Sequence, residues 1–108
     1  MGTLEKFFVR NFTFREASVA TISAKHILID HEHEAEDLLR KLKEGDSFEN
    51  LAEKFSKCPS ADQGGDLGSF SQGAMVPEFD KAAFELSVDQ VSEPIKTQYG
   101  YHLIQRYA

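Results

Sequence analysis

Residues 57–79 hold the only cysteine of the chain, four of its seven glycines and two of its three prolines. Gly64, Gly65, Gly68 and Gly73 break any helical period and permit turns closed to other residues. The same stretch still carries Leu67, Phe70, Met75 and Phe79. A segment this apolar and this broken reads as loop and strand shaped over a pocket. The rest of the chain is then the scaffold that holds it.

A chain of 108 residues can build one domain around a single modest core without a metal or disulfide staple. The balance of 41% apolar and 28% charged residues is that of a globular protein and excludes fibrous and disordered classes. A net charge of −6 opposes approach to a phosphate backbone, so no nucleic-acid partner is expected. One cysteine leaves no internal disulfide and does not fix the redox compartment. No stretch approaches the ~20 apolar residues of a membrane span, and no membrane partner is expected. No basic region followed by an apolar run marks a signal peptide, and Lys6 stands where a myristoylation site requires Ser or Thr. The compartment stays open: cytoplasmic if the chain is complete, extracytoplasmic if it is a piece of an export foldase.

Residues 1–18 mix Phe7, Phe8, Phe12 and Phe14 with charges and hold no sustained period. They read as a leader or linker before a domain over 19–108. Val19 to Ile29 is rich in β-branched residues and predicts a strand, with His26 and Leu28 on one face and Ile27 and Ile29 on the other. Largely apolar faces on both sides suit a central strand. An acidic run over 30–37 then opens a helix, where carboxylates face the positive end of the dipole. Ala35, Leu38, Leu39 and Leu42 form its buried stripe, and Lys41, Lys43 and Gly45 its stop signals.

Asp46 and Glu49 give a capping-box spacing for a second helix with the stripe Phe48, Leu51, Ala52 and Phe55. Pro59 ends it near Lys57. A short strand is expected at 67–71. Phe79, Ala82, Ala83 and Leu86 show the stripe a third time, with Pro77 at the helix start. Ile95–Thr97 and Tyr101–Tyr107 are the last strands. Helices against a small, mostly antiparallel sheet give an α+β fold.

Two constellations could carry chemistry. If their strands pair, His26 and His102 bring two imidazoles into an apolar site where a nearby Cys58 thiol would find a partner. Equally, each could be an ordinary core residue. Leu67, Met75 and Phe79 could line a cup for one small apolar group, or could simply be core, as Phe70 is read to be. His31 and His33 lie beside carboxylates, but a spacing of two at a helix start splits the rings apart, and no metal site is expected.

Four motifs in order resemble the parvulin family of peptidyl-prolyl cis/trans isomerases. They are Ala24-Lys25-His26-Ile27-Leu28-Ile29; Cys58-Pro59-Ser60 with Gly64-Gly65-Asp66-Leu67-Gly68-Ser69-Phe70; Gly73-Ala74-Met75-Val76-Pro77-Glu78-Phe79; and Thr97-Gln98-Tyr99-Gly100-Tyr101-His102-Leu103-Ile104. The resemblance spans about Thr21 to Tyr107. It implies the FKBP-like superfold in the order βαααβαββ with a four-stranded antiparallel sheet. It implies a catalytic hydrogen-bonded cluster of His26, Cys58, Thr97 and His102, and a proline cup at Leu67, Met75 and Phe79. Tyr99, at the pocket mouth, is an expected substrate-binding residue that would influence which residue is accepted before proline.

The phosphate-directed branch of the family carries a basic cluster after its first strand. Here that loop is short and acidic (Asp30, Glu32, Glu34, Glu36, Asp37), so the resemblance is to the bacterial-type branch without phosphate specificity. The function expected is isomerisation of X-Pro bonds in peptides and folding proteins, by a monomer without cofactor. A non-catalytic peptide-binding or chaperone module using the same cup is the alternative. A Cys-His acyl-transfer enzyme is a weaker third.

Overall fold

Strand β1 (Thr21–Ile29) forms where β-branched and apolar residues alternate without a breaker. The computed structural model describes residues 20–108. The leader or linker expected over 1–18, and Val19, lie outside the described residues. After β1 come helix α1 (Glu32–Lys43), helix α2 (Phe48–Phe55), a short 3₁₀ helix (Pro59–Gln63), β2 (Asp66–Ser71), α3 (Pro77–Glu85), β3 (Ile95–Thr97) and β4 (Gly100–Arg106). The α+β fold with a four-stranded antiparallel sheet is as expected, in the order β2-β1-β4-β3. The third helix implied by the resemblance is the 3₁₀ turn, too short to show an apolar period.

Period two in the central pair divides the core into two. Ile27, Ile29 and Leu103 face α1 and α2, packing with Ala35, Leu38, Phe48, Leu51 and Ala52. Ile22, Ala24 and Ile104 face the other way, against Phe70, Phe79, Ala83 and Leu86. Ile27, Leu103 and Ile104 are wholly buried, and each such side chain contributes about 1.5–3 kcal/mol by leaving water.

The caps are local. On α1 the Glu34 carboxylate accepts from the His31 N–H at 3.1 Å, while Arg40, Lys41 and Lys43 fill the last turn and match the dipole. On α2 the cap is Ser47 rather than Asp46: its Oγ accepts from the Asn50 N–H at 3.0 Å. Glu49 is thereby free of the expected capping role and pairs with Lys25. Phe55, expected on the buried stripe, is 45% exposed, because it is the last residue of a short helix that turns away at Ser56.

Strand β2 leaves β1 at an irregularity between Ala24 and Lys25. The chain around the 3₁₀ helix takes over that edge of β1. His26 N–H donates to Gly65 O (2.9 Å), Lys57 N–H to Leu28 O (2.8 Å) and Leu28 N–H to Ser56 Oγ (3.0 Å). At the other end of β1, Ser23 N–H donates to Ala108 O (3.1 Å) and Ser23 O accepts from Tyr107 N–H (2.8 Å).

Candidate active site

The register of β1 and β4 decides where the histidines meet. His26 lies opposite Ile104, and Leu28 opposite His102, so the two imidazoles are diagonal neighbours on one face, within side-chain reach. Their rings stack at 5.3 Å with Nδ1 atoms 3.1 Å apart. Both residues are buried. Strand β3 adds Thr97, whose Oγ1 is 2.7 Å from His102 Nε2 and accepts from the Tyr99 N–H at 3.2 Å.

Tyr99, Thr97, His102 and His26 thus form one buried hydrogen-bonded chain. It ends at His26 Nε2, a buried ring nitrogen without a hydrogen-bond partner among the described residues. Burial first, and the charge of His102 second, push the His26 pKa down to about 4; burial also lowers that of His102. The pair is neutral at pH 7.

Phe79 seals the pair from above. Its ring meets His26 edge-on at 5.5 Å and His102 at 5.2 Å. Beside it opens a cavity of about 380 Å³ lined by His26, Leu28, Lys57, Cys58, Pro59, Leu67, Met75, Val76, Phe79, Tyr99 and His102. Seven of the eight predicted site residues share this wall. The eighth, Thr97, stands behind it, against His102. Lys57, the one lysine of the wall, is turned to Asp30 at 3.4 Å, so a bound group meets a largely apolar surface.

Cys58 lines the cavity and its backbone N–H reaches Ser56 Oγ (3.4 Å), but among the described residues its sulfur joins no hydrogen bond. Pro59 turns the chain straight into the 3₁₀ helix and leaves the thiol as a wall of the cup. Leu28, Lys57, Pro59 and Val76 were not named as site residues. Leu28 was legible, since it shares the His26 face at i+2. Pro59, expected as a helix breaker, also opens the 3₁₀ helix and lines the cavity.

Residues 22–108 match the rotamase family, described as the PPIC-type PPIase domain. The chain belongs to the PPIC-type peptidyl-prolyl isomerase family. Among curated relatives of this isomerase domain, the foldase protein PrsA of Bacillus subtilis is 50% identical over 86 residues, 79% of this chain and 30% of that one. The PrsA foldase of Halalkalibacterium halodurans is 49% identical over 88 residues, 81% and 26% respectively. The chain thus spans about a quarter to a third of these relatives. Of solved structures, the PrsA of Bacillus subtilis superposes with a TM-score of 0.80 at 48% identity, over 82% of this chain and 35% of that one. The parvulin of Nitrosopumilus maritimus, solved in solution, gives 0.77 at 44% identity over 84% and 98%.

Proposed function

We propose that this isomerase domain speeds rotation about X-Pro bonds in peptides and in unfolded or folding proteins by gripping the proline ring in the cup of Leu67, Met75 and Phe79. The observation that carries this reading is the apolar cup floored by a neutral histidine pair. Rotation must break amide resonance, a barrier of about 18–20 kcal/mol. No covalent bond need be cleaved, so the task is to bind the twisted amide better than either planar form. A dry cup disfavours the charge-separated planar resonance form. The polar edge of the histidine pair, with His26 Nε2 unpartnered among the described residues, supports the twisted geometry electrostatically. Cofactor or metal chemistry plays no part in this route.

Asp30 and the acids of α1 repel a phosphate, and we assign the domain to X-Pro bonds without phosphate preference. It works as a monomer, alone in the cytoplasm or as the catalytic module of a longer foldase outside it. The test is a panel of proline peptides varied before proline, followed by exchange NMR. Catalysed interconversion at similar rates for Ser-Pro, Glu-Pro and phospho-Ser-Pro supports the reading. A large phosphate preference defeats the specificity assignment. Peptide-induced shifts at Met75 and Leu67 without acceleration would leave a non-catalytic holding module.

A further inference from the structure

We infer that the groove between α1 and α2 is a second client-binding surface, which receives an apolar side chain a few residues away from the proline held in the cup. The inference rests on the isomerase reading of the cup and extends it to the chemistry of the client.

The groove encloses about 530 Å³ and is lined by Phe55 and the edges of the core residues Ile29 and Leu38, set among His33, Glu34, Asp37, Lys54 and Lys57. Phe55 is the key. It is 45% exposed and, among the described residues, belongs to neither core cluster. The charges beside it are of both signs, which disfavours a single ionic partner and leaves the Phe55 ring to select.

Continuity with the cup identifies the occupant. Lys57 lines both cavities. Its N–H is bonded to Leu28 O, at the edge that β2 has vacated. Leu28 lines the cup on one face of the sheet, and its neighbour Ile29 lines the groove on the other. Only Asp30 and His31 connect β1 to α1, so no long loop intervenes. A strand-like segment leaving the cup passes over Lys57, rounds the sheet edge and enters the groove. Because the two cavities share Lys57, the residue in the groove lies near the proline along the client chain. The client class is an unfolded segment with a large apolar residue near, but not beside, its proline.

The experiment compares a short Ala-Pro peptide with longer ones carrying a single Phe at successive positions on either side of proline. Expected is a KM lower by about tenfold for one placement, as burial of an aromatic ring supplies, with shifts at Ile29 and Leu38. In Phe55→Gln the short peptide turns over as before and the gain disappears; Phe55→Leu keeps most of it. The inference is overturned if no placement lowers KM, if the gain survives Phe55→Gln, or if Ile29 and Leu38 respond to protein concentration instead of peptide. Failure of the short peptide to isomerise at all would sink the isomerase reading instead. The shifts at Ile29 and Leu38 would still decide the groove.

Discussion

Gly65 and His26 hold each other in place from both sides. His26 N–H donates to Gly65 O at 2.9 Å, and a Cβ on Gly65 would lie 2.4 Å from His26 O. With φ at +85°, Gly65 sits where a side chain is disfavoured twice, by backbone conformation and by contact. The glycine-broken segment is therefore clamped to the strand that bears the site.

Gly65→Ala should cost at least ~2 kcal/mol, from the left-handed backbone and the collision together. It should also lower turnover by displacing His26. Urea unfolding would check the first part and peptide kinetics the second. A variant as stable as the parent would show that the clamp relaxes freely.

Met75→Ala is the clean probe of the cup. Met75 is half-buried at the edge of its cluster, so folding should lose only about 1 kcal/mol while kcat/KM drops roughly tenfold. Phe79→Ala is a poor probe. Phe79 is 3% exposed, packed into the core and against both histidines, and its loss should cost ~3–5 kcal/mol of stability. Intact turnover in Met75→Ala with the fold preserved would remove the proline cup.

The histidine pair predicts a pH dependence of defined sign. His26 has a pKa of about 4 in the fold against 6.5 unfolded, so below 6.5 the unfolded chain binds the proton first. Stability should be full above about pH 6.5 and fall by roughly 3 kcal/mol as pH approaches 4. His102, also lowered by burial, acts in the same direction. Glu49 and Asp66, held low by Lys25 and Tyr107 respectively, lose their share only at still lower pH. Denaturant midpoints between pH 7 and 4 would test this, and a flat profile there would contradict a buried neutral pair.

Cys58 separates a wall from a nucleophile. Cys58→Ala should keep turnover within about tenfold, since one wall contact is worth ~1 kcal/mol. Alkylation of the thiol should stop catalysis by filling the cup. Abolished turnover in Cys58→Ala, together with a covalent peptide adduct on the parent, would restore the nucleophile.

The strands and three main helices were legible because their apolar periods are clean, and the family motifs carried the histidine pair and the cup. Other features depended on tertiary geometry. Asp46 and Ser47 are both competent caps, and only the helix start chooses between them. Phe55 fits its stripe by spacing, yet a short helix leaves its last turn uncovered. Phe79 has one sequence signature for two roles, core packing and cup wall. That Lys57 belongs to two cavities follows from β2 leaving the sheet after Lys25, which no local pattern announces.

Ser23 and the last two residues, Tyr107 and Ala108, are hydrogen-bonded neighbours. These bonds carry the β1–β4 ladder beyond the pair Ala24 and Arg106. That end of the central pair is closed by backbone alone, so no side-chain substitution there, short of proline, removes the bonds that close it.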